Sequence, residues 1–159
     1  MQSINVLFVC LGNICRSPTA HGVFADIVEA ASLDHRINVD SAGTSNWHID
    51  EAPDRRSSAA ARARGFDLSA LRGRQVEPED FEKFDYILAM DRDNLANLRR
   101  RKPLDYAGTL DLFLRFGSQT RYKEVPDPYG GGDQGSELAL DLIEDACHGL
   151  LDHIKATNL

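Results

Sequence analysis

The run Ile4-Asn5-Val6-Leu7-Phe8-Val9 constrains this chain more than any other stretch. It is apolar almost throughout, rich in β-branched and aromatic side chains, and shows no in-out alternation. A short run of that kind is a strand buried on both faces, the central position of a helix-covered sheet. The run ends abruptly. Cys10-Leu11-Gly12-Asn13-Ile14-Cys15-Arg16 is a polar, glycine-containing loop, and Ser17-Pro18 then open a helix, with Ser17 as N-cap and Pro18 at the first helical position. Val23, Phe24, Ile27, Val28 and Ala31 supply its apolar face at helical spacing.

The same alternation continues along the chain. Ile37 to Val39 reads as a second strand, and Ser41 to Pro53 as a long loop carrying the only tryptophan, Trp47. Asp54 caps a helix that Gly65 ends. A short helix starts at Glu77–Asp80, Tyr86–Met90 is a third strand, and Asp91 caps the next helix. Leu110–Phe113 forms a fourth strand, Val125–Asp133 is loop, and the last helix starts near Ser136. Strands alternating with helices predict a parallel α/β sheet covered on both faces, in one domain spanning residues 1–159. Ligands of such sheets bind at the carboxyl ends of strands near a topological switch point, where the Cys10–Arg16 loop sits.

Charge narrows the partners. With 25 acidic against 18 basic residues the net charge is −7, which disfavours nucleic acid and anionic membrane unless a local basic patch exists. Arg99-Arg100-Arg101-Lys102 is the one candidate patch, and it reads as the basic end of a helix. No apolar run reaches the roughly 18 residues of a membrane span, and the N-terminus lacks a signal-peptide pattern. Three cysteines, Cys10, Cys15 and Cys147, do not form a secreted disulfide framework, so reduced thiols in a cytoplasm are expected. The five histidines have no ligand spacing, and neither metal nor cofactor is expected.

The loop itself has a definite chemistry. A tight strand-to-helix turn points successive backbone N–H groups inward, and the helix adds its own first-turn donors and dipole, so that together they make an anion cradle. Gly12 permits a backbone conformation other residues resist, and Asn13 is the next most tolerant residue. Arg16 completes the cradle with a planar fork able to hold two phosphate oxygens. A cysteine at the mouth, Cys10, lies in the same positive field, which favours thiolate and aims a nucleophile at a bound phosphorus. Ser17 can donate its hydroxyl to the sulfur. A departing oxygen then needs a proton, and Asp127, in Asp127-Pro128-Tyr129 on a Gly/Pro-rich loop, is the carboxylic acid placed to give it. Trp47 and Tyr129 are candidate walls of a slot for a flat ring. Trp47 reads equally as a loop anchor on the core.

The stretches Val9–Pro18 and Asp127-Pro128-Tyr129 resemble the low-molecular-weight protein tyrosine phosphatases. The likeness extends through Asp40-Ser41-Ala42-Gly43, Arg74-Gln75, Phe84–Leu88 and Met90-Asp91. It implies a four-stranded parallel sheet flanked by helices and hydrolysis of phosphotyrosine through a phosphocysteine. Cys10 would be the nucleophile, Arg16 the phosphate clamp, Asp127 the acid/base, Ser17 the thiolate partner, and Asn13 and Ser41 supports of the loop. Implied partners are phosphotyrosine-containing proteins, a cognate tyrosine kinase among them, met by a monomer. Paired loop cysteines recur in the family, which favours Cys15 as a shield for oxidised Cys10 over a mere space-filler. Three departures from the pattern stand out: His21 replaces a common Glu, Leu71 a loop-bonding His, and Gly130-Gly131-Gly132 a second aromatic. Rival readings on the same fold are an arsenate reductase and a protein-arginine phosphatase. The first lacks resolving cysteines here, and the second would carry Thr at Ile14. A catalytically idle phosphate- or phosphopeptide-binding module would be expected to lose Cys10 or Asp127, and both are present; a thiol redox sensor stays open as a secondary role.

Overall fold

In the computed structural model, residues 2–127 and 132–159 are described, with the backbone alone for 132–134. Tyr129, one of the two expected slot walls, and the first two of the three glycines after it lie outside the described residues, as do the side chains of 132–134. Four strands, β1 (Ile4–Cys10), β2 (Ile37–Gly43), β3 (Tyr86–Ala89) and β4 (Thr109–Leu112), form one sheet in the order β2-β1-β3-β4. All three pairings are parallel. The helices are α1 (Arg16–Ala30), α2 (Arg55–Ala63), α3 (Asp80–Lys83), α4 (Arg92–Arg101) and α5 (Gly132–Asn158).

The unalternating first strand is buried on both faces. Val6, Phe8 and Cys10 face a core shared with α1 and α5, where Phe8 meets Phe24 and Phe113 edge-on at 5.7 and 4.9 Å. Leu7 and Val9 face the opposite layer, built on Phe81, Phe84, Leu95 and Leu98. After β1 the chain crosses to β2 on one side and later returns to β3 on the other, so the carboxyl end of β1 is the switch point.

Strand β1 runs one residue further than expected, to Cys10, and β3 stops one short of Met90; four other boundaries differ for a physical reason. Strand β2 runs on through Asp40–Gly43, because pairing with β1 up to Cys10↔Gly43 overrides the polar character of Asp40 and Ser41. Phe113 leaves β4 for a single 3₁₀ turn and fills the core beneath Phe8. Helix α5 starts at Gly132, ahead of Ser136. Ser17 is not the N-cap of α1: the helix starts at Arg16 after Cys15, no side chain caps it, and the Ser17 hydroxyl points at the loop instead. Asp54 and Asp91 do cap their helices, accepting from Arg56 and Ser57 N–H and from Asn94 N–H, and Gly65 takes a positive φ of 90° just past α2.

Candidate active site

The loop between β1 and α1 turns its carbonyls outward, where neighbouring segments hold them. Thr44 N–H donates to Cys10 O, Ser45 N–H to Leu11 O, Asp54 N–H to Ile14 O and Thr19 N–H to Cys15 O, at 2.7–3.2 Å. The amides of Leu11, Gly12, Ile14, Cys15 and Arg16 make no hydrogen bond among the described residues, while Asn13 N–H donates to Cys10 Sγ at 3.3 Å. A curl whose carbonyls are taken from outside leaves its N–H groups concentrated inside, beside the uncapped start of α1. That arrangement binds anions.

The left-handed residue of the loop is Asn13, with φ 57°, and not Gly12. Asparagine tolerates this region because its amide bonds locally. Here Asn13 Nδ2 donates to Ser17 Oγ at 2.8 Å, and Asn13 Oδ1 accepts from Arg74 N–H at 3.0 Å. Glycine at position 12 answers to space: a Cβ there would lie 3.0 Å from the His48 ring. Gly43 is required by the close approach of β2 to the loop, since a Cβ would stand 2.8 Å from Leu11 O.

Cys10 sits at the mouth, 3% exposed, with its sulfur 3.0 Å from Ser17 Oγ. Arg16 is 6% exposed, and its Nη1 donates to Asp91 Oδ2 at 2.7 Å and to Val125 O at 3.1 Å. Its Nε and Nη2 make no hydrogen bond among the described residues, so Nη1 is anchored while the rest of the fork is left unspent, and Arg16 lines the cleft. Burial alone would lower the Arg16 pKa; the facing Cys10, then Asp91 and Asp127, more than offset that and raise it. Val125 N–H donates to Met90 O at 2.8 Å, which ties the approach to Asp127 onto the end of β3. Asp127 thereby lines the same cleft, about 260 Å³, as Cys10, Leu11, Gly12, Ile14 and Arg16.

The remaining expected residues separate into those at the cleft and those away from it. Trp47 lines the cleft and is 66% exposed, which excludes the reading as a core anchor. Cys15 lies under the loop, and burial, then the Asp54 charge, push its thiol up to about 12. Ser41 does not reach the loop: its hydroxyl meets His21 Nδ1 at 2.9 Å, so the two positions form their own pair. Leu71 packs on the main core, and the hold on Asn13 from that side is the Arg74 N–H. Cys147 is fully buried on α5, against Ala20 O. Sequence reasoning treated Asp91 as a cap alone and missed its second oxygen on Arg16. The available signal was a carboxylate directly after a buried strand that neighbours β1. It also missed His48, which borders the cleft and pairs with Glu51 at 3.0 Å. Among the described residues no group of three His, Cys, Asp or Glu is placed to hold a metal ion, and no helix is long and apolar enough to cross a membrane.

A thiol and an anchored arginine around an inward-facing amide loop, at the switch point of a parallel sheet, define the oxyanion-binding, thiol-bearing class of α/β domains. Comparison with known proteins identifies the particular family. The profile described as low molecular weight phosphotyrosine protein phosphatase matches residues 5–158, and the chain belongs to this family. It is 44% identical to the low molecular weight phosphotyrosine protein phosphatase of Schizosaccharomyces pombe, over 90% of this chain and 92% of the relative. A crystal structure of a protein tyrosine phosphatase from Entamoeba histolytica, with Hepes in its active site, superposes with a TM-score of 0.94. Identity is 38%, covering 99% of this chain and all of that one. A drosophila arginine phosphatase matches at a TM-score of 0.89 and 30% identity, covering 96% and 99%.

Proposed function

We propose that this domain hydrolyses phosphotyrosine monoesters through a phosphocysteine on Cys10. One observation carries the reading: Asp127, more than a hundred residues further along the chain, lines a single cleft with Cys10 and Arg16 of the amide loop. The phosphoryl oxygens sit on the loop N–H groups and the rest of the Arg16 fork. The Cys10 thiolate attacks phosphorus, the phosphorus–phenol oxygen bond breaks, and protonated Asp127 gives its proton to the leaving oxygen. Water then attacks the phosphocysteine while the Asp127 carboxylate takes its proton. The sulfur–phosphorus bond breaks, inorganic phosphate departs, and the hydroxyl of Ser17 stabilises the returning thiolate. The donors are fixed before reaction, so they need no reorganisation as charge shifts in the transition state.

The cleft and its rim support an aromatic phosphomonoester as the substrate class. Leu11, Ile14 and Trp47 give apolar surface suited to an aromatic ring above a buried phosphate site. Ile14 offers no hydroxyl to a guanidinium, which favours tyrosine over arginine as the phosphorylated side chain. Phosphotyrosine proteins, including a cognate tyrosine kinase, are the partners, and the working unit is one cytoplasmic domain acting as a monomer. The test is aryl-phosphate turnover in the presence of a chelator, with rapid-quench trapping of the phosphoenzyme. Cys10→Ser is expected to abolish both while retaining the wild-type melting curve. Substantial turnover by that variant ends the covalent mechanism.

A further inference from the structure

We infer that Arg74 is a positioning residue of the active-site loop, and that it sets the direction of the hydrogen-bond chain ending on Cys10. This rests on the phosphatase reading above. A backbone N–H only donates, so the Arg74 amide at 3.0 Å forces the Asn13 oxygen toward itself. The Asn13 amide nitrogen must then face Ser17 Oγ, at 2.8 Å, as donor. With an acceptor lone pair of Ser17 thus occupied, its one hydrogen is left to point at Cys10 Sγ, 3.0 Å away, or at Ala42 O, 3.4 Å away. The sulfur is the nearer acceptor, and as a thiolate it carries the charge. Reversal of the Asn13 amide would turn the chain around and present Ser17 to Asn13 as donor, leaving the sulfur without its hydroxyl.

The Arg74 backbone is itself fixed on both sides. Its carbonyl accepts from Gly43 N–H at 2.8 Å, tying it to the end of β2. Its side chain makes four hydrogen bonds, Nε to Asp40 Oδ2, Nη1 and Nη2 to the two oxygens of Asp80, and Nη1 to Gln75 O, and Nη2 also ion-pairs with Asp40 at 3.1 Å. Asp80 is 5% exposed, so this fork-on-fork contact is largely shielded from water. Burial of Arg74 lowers its pKa, and the Asp80 and Asp40 carboxylates outweigh that and raise it, so the anchor stays charged. With Leu71 half-buried against the core and Ser41 on His21, the hold on Asn13 from outside the loop falls to Arg74. The strained left-handed backbone at Asn13 persists only where its surroundings over-determine it.

The test is a double-mutant cycle of Arg74→Gln with Ser17→Ala, read as kcat and KM on an aryl phosphate, with melting curves for each protein. Because the chain acts through a hydrogen bond to a charged sulfur, Arg74→Gln is expected to lower kcat about 10-fold with KM changed less than about 3-fold. In the Ser17→Ala background the same substitution is expected to cost less than about twofold, because the last link is already gone. An equal loss in both backgrounds, or no loss in either, overturns the inference. Should Arg74→Gln not fold, Asp40→Asn, which leaves the Asp80 fork in place, is read in the same cycle. It is expected to lower kcat about threefold in the wild type alone, and equal effects in both backgrounds again overturn the inference. Failure of the phosphatase reading itself has a different signature, namely no aryl-phosphate turnover by the wild type.

Discussion

Asp91 is expected to carry two separable tasks, one on each oxygen. Its Oδ1 accepts from Asn94 N–H at 2.7 Å and caps α4, and its Oδ2 accepts from Arg16 Nη1 at 2.7 Å. Alanine removes both. Loss of the cap costs about 1 kcal/mol. Leaving the buried Arg16 without its carboxylate costs about 3 kcal/mol, the low end for a broken buried pair. The low end applies because Val125 O stays in place and the Asp91 side chain is 21% exposed. The sum of about 4 kcal/mol corresponds to a melting point lower by roughly 8–16 °C in a chain of this size. The two donors sit on different carboxylate oxygens, so the one oxygen of asparagine faces only one of them. The charged donor on Arg16 should win it, so Asp91→Asn gives up the cap, about 1–2 kcal/mol, and keeps the guanidinium in place. The two variants then diverge in catalysis. With a charge-assisted hydrogen bond worth about 1.5–3 kcal/mol to the pose of the clamp, Asp91→Ala should lower kcat/KM on an aryl phosphate about 10–100-fold. Asp91→Asn should lose less than about 5-fold. Urea denaturation and steady-state kinetics read both quantities. The reasoning is refuted if Asp91→Ala loses only the cap's ~1 kcal/mol and retains kcat/KM within about twofold.

The acid and the second cysteine give two more tests. Asp127→Asn should slow phosphotyrosine hydrolysis about 10²–10⁴-fold and hydrolysis of an activated nitrophenyl ester far less, because a phenol of pKa near 10 needs the proton and a nitrophenol does not. Equal losses on both substrates would remove Asp127 from leaving-group protonation. Cys15 is held protonated by burial and Asp54, with a pKa of about 12, so its attack on a Cys10 sulfenic acid should quicken as pH rises from about 6 to about 9. After a fixed peroxide pulse, the dithiol-recoverable activity should therefore grow with pH in the wild type and not in Cys15→Ser; parallel curves would make Cys15 a packing residue.

The strand-loop-helix unit was legible because it is local. A run buried on both faces, a loop of tolerant residues and Pro18 in the first helical turn each leave a mark within a few positions. The elements that support the loop left fainter marks, since their partners are distant. Arg16 meets Asp91 75 residues away and Val125 109 away, and Asn13 meets Arg74 across 61. Ser17 was misread for a related reason. Ser-Pro is good capping chemistry, but here its hydroxyl serves the sulfur and the neighbouring amide. Ser41 was carried to the loop by resemblance, and His21, a departure from the family pattern, intercepts it. The partner that Ser41 takes instead lies 20 residues away in sequence, where no local pattern marks the contact.

That redistribution bears on how such a loop is held at all. A helix start that must receive an anion cannot spend its first N–H groups on a side-chain cap, and α1 has none. The stability an ordinary cap would add, about 1 kcal/mol, is forgone at the place where the left-handed Asn13 adds strain. Both costs fall on the cradle, so the compensation must lie outside it. It is found in the carbonyls of Cys10, Leu11 and Ile14, held by the backbone of residues 44, 45 and 54, and in the side chains of Asn13 and Arg16, held by Arg74 and Asp91. Each of these contacts leaves the inward N–H groups untouched. The loop can therefore be rigid and still leave its donors to the ligand, and it can be loosened through residues such as Arg74 and Asp91 that never meet the substrate.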